Sequence, residues 1–99
     1  MSFVTAQPEM LSTAAASLGG IGSALGAQNA AAAAPTTGVL PAAADEVSVL
    51  TAAQFAAHAT MYQQISAQAA AIHDMFVATL NGSATSYAAT EAANAAAAG

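Results

Sequence analysis

The chain has no lysine, no arginine, no cysteine and no tryptophan among its 99 residues. Without cations it cannot neutralise phosphates, the electrostatic term on which nucleic-acid binding rests, so that function class is excluded. Docking on anionic lipid through basic residues is excluded on the same ground. Without cysteine there is neither a disulfide framework nor a thiolate metal site, and redox chemistry says nothing about compartment. The N-terminus lacks a basic region ahead of an apolar run, so no secretory leader of that kind is expected. The chain is 57% apolar by count, but much of that is alanine, which buries little area. Large apolar side chains are sparse outside one stretch. The formal net charge is -5.

That stretch, Asp45 to Leu80, holds no proline or glycine over roughly ten helical turns, or about 54 Å. Its bulky residues are Val47, Leu50, Phe55, Met61, Tyr62, Ile65, Ile72, Met75, Phe76 and Leu80. Projected at about 100° per residue they fall within an arc of roughly 160°. The opposite side carries Ala53, Ala56, Thr60, Gln63, Ala67, Ala70, Asp74 and Ala78. A strand would need alternation, which is absent. The spacing predicts one long amphipathic helix whose arc is broad enough for two neighbours. One neighbour can come from this chain; the other must come from elsewhere, because one long and one shorter helix cannot enclose a core. Gln54, His58, Gln63, Gln64 and Asp74 interrupt the strongest apolar window, so no transmembrane segment is expected.

Ahead of that stretch, residues 1–7 read as a lead-in anchored by Phe3 and Val4. Pro8 and Glu9 mark a helix start, proline being tolerated in the first turn and a carboxylate favoured at the positive end of the dipole. Leu11, Leu18 and Leu25 recur at intervals of seven, giving a narrower stripe that continues to about residue 33. Gly19, Gly20, Gly22 and Gly26 lie inside it, each costing about 1 kcal/mol relative to alanine. Gly22 and Gly26 are either a surface for close helix approach or drift in a small-residue sequence. Pro35 and Pro41, with Gly38, make the turn over residues 34–44, and a short turn favours antiparallel packing. Asp45 or Ala44 caps the second helix, expected over about 45–81, and Asn81-Gly82 is expected to stop it. Residues 83–99 are a tail, either a short helix or disordered. The expected fold is all-α, an antiparallel two-helix hairpin over residues 1–82.

No constellation for catalysis is found, and an enzyme is not expected. His58 and His73 are 15 residues apart, hence roughly 22 Å along one helix, far beyond a shared metal. Neither a metal nor a cofactor is expected. No Gly-x-Ser-x-Gly elbow occurs. Gln54 and His58 lie within the apolar arc; they either bond across a helix interface or set the register with one partner. His73, at the edge of the arc, is expected to be solvated. Tyr87 and Glu91 are four apart and share a face if the tail is helical. On the residues alone, Tyr87 packs back on the hairpin end or is read by a receptor together with Glu91.

In this order and spacing, Pro8-Glu9, Pro41-Ala42-Ala43-Ala44-Asp45 with Val47-Ser48, and Tyr87-Ala88-Ala89-Thr90-Glu91 resemble the N-terminal domain of the mycobacterial PE family. The resemblance covers essentially the whole chain. It implies a hairpin that pairs lengthwise with a PPE-family protein into a four-helix-type bundle. It further implies export by a type VII (ESX) secretion system through the Tyr87-x-x-x-Glu91 signal, with an EspG-type chaperone bound to the PPE partner. The chain lacks the tryptophan of the PPE Trp-x-Gly turn, so it would be the PE half. The implied role is a non-enzymatic interaction protein, secreted or at the cell surface after assembly in the cytoplasm. The glycine-rich or hydrolytic extensions of some family members do not occur in this sequence, and their functions are not carried over. The expected partner interface comprises Leu11, Leu18 and Leu25 of the first helix. From the second helix it takes Val47, Leu50, Phe55, His58, Met61, Tyr62, Ile65, Ile72, Phe76 and Leu80. The alternative is a hairpin acting at the cell envelope or outer membrane, in surface association or solute uptake, through the same apolar face.

Overall fold

The computed structural model describes residues 4–99; the lead-in anchor Phe3 lies outside the described residues. They form two α-helices and no strand: α1, Pro8–Thr37, and α2, Glu46–Ala98. Gln7 starts α1, its carbonyl accepting from the Met10 and Leu11 amides at 3.0 and 3.4 Å. Pro8 sits where no intrahelical donor is needed, and Glu9 faces the dipole.

α1 ends at Thr37 rather than near residue 33, with Pro35 inside its last turn. Proline removes a donor there, yet the terminal carbonyls find others. The hydroxyls of Thr36 and Thr37 donate to the carbonyls of Ala32 and Ala33, and the Gly38 amide donates to Ala34 at 3.0 Å. The connection is correspondingly shorter than the expected 34–44.

Asp45 caps α2. Its Oδ1 accepts the Ser48 amide at 2.8 Å and its Oδ2 the Ser48 hydroxyl at 2.9 Å. The Ser48 amide, then the hydroxyl, hold this carboxyl below its ordinary value of 3.8. The expected stop at Asn81-Gly82 is absent, and α2 runs on to Ala98. A helix-ending glycine adopts positive φ, but among the described glycines only Gly99 does, at 58°. The alanines after Gly82 restore the helix propensity that one glycine removes. They also continue the packing, Ala84 being buried.

The helices pair in two compact units, one of Met1–Gly22 with His73–Gly99 and one of Ser23–Ile72. Each is antiparallel: Leu18 meets His73 and Ala6 meets Glu91 in the first, while Asn29 meets Tyr62 and Gln63 in the second. The seam of the Ser23–Ile72 unit is made of small and polar residues, and that of the other unit adds Leu11, Leu18, Val77 and Leu80. Ser48, Ala52, Ala59, Gln63 and Ser66 carry α2 through the Ser23–Ile72 unit. His73, Val77, Leu80, Ala84 and Glu91 carry it through the other. Among the described residues the buried hydrophobic ones are four alanines, Ala15, Ala52, Ala59 and Ala84.

The expected division of the bulky arc between two neighbours is therefore corrected. Within the chain α1 packs beside the arc, on a seam that includes Gln63 from the side opposite it, and nearly all the bulky residues stay outside. Alanine seams let the helices approach closely, and larger side chains at those positions would hold them apart. By length and composition α1 is apolar enough to cross a membrane. Its alanines supply that hydropathy, and large side chains contribute little.

Candidate functional site

The apolar face comes from both helices of each unit. In the Ser23–Ile72 unit, Leu25 of α1 and Leu50, Phe55, Met61, Ile65 and Ile72 of α2 are all exposed. Phe55 is 63% and Ile65 65% exposed, values belonging to side chains that have found no packing partner within the chain. Projecting each helix from its seam at about 100° per residue places these residues on one side of the unit. In the other unit Met10, Ile21, Met75, Phe76 and Tyr87 are likewise exposed. Leu11, Leu18 and Leu80 are half-buried and pack between α1 and α2.

An open recess of about 390 Å³ interrupts the face in the Ser23–Ile72 unit. Phe55, His58, Ala59 and Tyr62 of α2 form one wall; Asn29, Ala32, Pro35, Thr36 and Val39 form the other. Gln54 and His58 are exposed and do not supply the polar links across this seam. Those come from Asn29, whose side-chain oxygen accepts the Tyr62 hydroxyl at 2.7 Å and whose carbonyl accepts Gln63 Nε2 at 3.0 Å.

His73 departs from expectation. It is half-buried, with Nε2 2.7 Å from the Leu18 carbonyl oxygen. A carbonyl only accepts, so Nε2 carries the proton. The ring lies over Gly22, where a Cβ would fall 2.7 Å from Cδ2. Gly22 is thus the close-approach glycine, and what approaches it is a side chain of the same chain. Gly26, its expected companion, has open space around it.

The sequence motifs from the two ends of the chain meet in the Met1–Gly22 and His73–Gly99 unit. The Ala6 amide donates to Glu91 Oε1 at 2.8 Å across 85 residues of sequence. Tyr87, half-exposed, lines a recess of about 520 Å³ with Val4 to Gln7, Met10, Leu11 and Glu91. A second recess is lined by Ala6 to Glu9, Ser12, Ala84, Thr85, Ala88 and Glu91. Pro8-Glu9 and Tyr87-x-x-x-Glu91 are parts of one surface.

Residues 4–94 match the PE family profile. The chain belongs to the PE family. It is 74% identical to the PE family protein PE13 of Mycobacterium tuberculosis over 98 residues, covering 99% of both chains. To PE8 of the same organism it is 61% identical, covering 99% of this chain and 36% of that protein. To PE_PGRS33 it is 59% identical, covering 97% of this chain and 19% of that protein. The matched region makes up nearly all of PE13 and a small part of the two longer proteins. Its exposed apolar face and its motif-bearing surface lie within the residues that all of them share with this chain.

Among the described residues no group of three or more histidine, aspartate or glutamate side chains gathers as metal ligands. The polar groups that sequence reasoning missed are Asn29 and the backbone amide of Ala6. Nothing in the sequence marks a lone asparagine in an alanine run, and a backbone amide carries no sequence signal at all.

Proposed function

We propose that this PE-family chain is one half of an obligate heterodimer with a PPE-family protein, and that its exposed apolar face is the pairing surface. The single observation carrying this reading is the mismatch between a small alanine seam and a bulky exposed face. Phe55, Ile65, Ile72 and Phe76 together leave to water the area on which a stable interface depends. A second copy of the same chain is a poor occupant, since each chain brings a net charge of -5 and no cation to offset it. Pairing takes place in the cytoplasm, where an EspG-type chaperone engages the PPE partner. The pair then leaves by a type VII secretion system that reads Tyr87-x-x-x-Glu91, and acts outside the cell or at its surface.

The test is expression of the chain alone and with a candidate PPE protein, followed by circular dichroism and light scattering. The expected result is aggregation or poor helicity alone and a helical 1:1 complex together. A stable monomeric hairpin indifferent to every PPE protein offered would sink the proposal. The same exposed apolar side chains support a second reading, action at the cell envelope through area rather than charge. Flotation of the lone chain with neutral liposomes would support that alternative, and its absence would remove it.

A further inference from the structure

We infer that Glu91 serves export as a positioning residue, holding Val4–Gln7 against the end of α2 so that this segment and the Tyr87 ring form one recognition surface. The inference rests on the proposed reading of Tyr87-x-x-x-Glu91 as the export signal and changes what its carboxylate does.

A carboxylate read directly by a cation on a receptor should be exposed and uncommitted. Glu91 is half-buried, and its Oε1 is engaged by the Ala6 amide at 2.8 Å. In a chain with no lysine or arginine, a carboxylate finds only N–H and O–H donors at home. This bond fixes the residue just before Gln7, which starts α1, and places negative charge near the positive end of that helix. The segment so held lines one recess with Tyr87 and Met10. Most exposed there are the Tyr87 ring, Met10 and Val4, with the polar Thr5 and Gln7 beside them. The receptor that fits this surface offers an apolar patch and needs no cation opposite Glu91.

The experiment uses the full chain with its partner in the exporting host, comparing Tyr87→Ala, Glu91→Ala, Glu91→Gln and Ala6→Pro. Glutamine keeps an oxygen acceptor without charge, and proline at position 6 removes the donor from a non-helical segment while leaving Glu91 intact. Partner binding and helicity are measured for each variant, and hydrogen exchange of the Ala6 amide for those that retain it. We expect Tyr87→Ala, Glu91→Ala and Ala6→Pro to lose most export while still binding the partner. Glu91→Gln should keep most of it and keep Ala6 protected, whereas Glu91→Ala should release that amide to fast exchange. Loss of export in Glu91→Gln with Ala6 still protected, or normal export in Ala6→Pro, overturns the inference and makes the carboxylate itself the feature read. Normal export in both Tyr87→Ala and Glu91→Ala instead overturns the export reading on which it rests.

Discussion

His73 donates from Nε2 to the carbonyl of Leu18, and its ring occupies the space that a side chain on Gly22 would need. The pair makes one glycine indispensable among several that are not. Gly22→Ala gains about 1 kcal/mol of helix propensity. It also forces the ring away, losing a hydrogen bond of about 1 kcal/mol and the packing around it. Gly26→Ala gains the propensity and meets nothing within 4 Å. In thermal melts of the folded assembly, Gly26→Ala should raise the midpoint and Gly22→Ala should not. The difference should disappear in a His73→Ala background. Equal stabilisation by both changes in the wild-type background would show that the ring does not rest there.

Gly82 offers a direct check on the length of α2. As a helical glycine in open space, it should give about 1 kcal/mol of stability when replaced by alanine. A glycine ending the helix at positive φ would instead lose stability on the same change. Amide exchange over residues 83–95, slow in a continuous helix and fast in a loose tail, provides a second readout.

The two kinds of contact on α2 separate by mutation. Ile65→Asp places a charge on an exposed face, so the hairpin itself tolerates it, but pairing buries that charge. A loss of about 3 kcal/mol or more, beyond a hundredfold in Kd, is expected. Ala59→Asp puts the charge into the seam and should lower the helicity of this chain as well as its pairing. Titration calorimetry with the partner and circular dichroism together distinguish them; undiminished binding by Ile65→Asp would exclude its face from the interface.

Acid should loosen the start of α2. The Asp45 carboxyl is held below 3.8 by the Ser48 amide and hydroxyl, so its folded-state value lies under its unfolded one. Its contribution is present above pH 3.8 and lost as pH falls through the lower folded value. Asp45→Asn, which keeps a capping oxygen, should flatten that acid-side loss. An unchanged acid profile in Asp45→Asn would show that the cap is not the titrating feature.

Much of the fold is legible in local chemistry. Pro8-Glu9, the absence of breakers from 46 to 80 and the Asp45-x-x-Ser48 cap each act through neighbours in sequence, so the residues alone decide two helices and the turn between them. Local chemistry misleads at Asn81-Gly82, because a glycine ends a helix only when the residues after it fail to propagate the helix, and alanines propagate it well. The choice of seam is not local at all. Alanine faces and bulky faces are both apolar, and only bringing two backbones together shows that small side chains permit the closer approach. The bonds of Ala6 with Glu91, Leu18 with His73 and Asn29 with Gln63 use backbone groups, which every residue possesses and no sequence pattern distinguishes. The sequence by itself determined two helices and an excess of bulky apolar side chains. The tertiary structure decided which face closes the hairpin and which stays open, because contact depends on side-chain size across a seam as well as hydrophobicity along a helix.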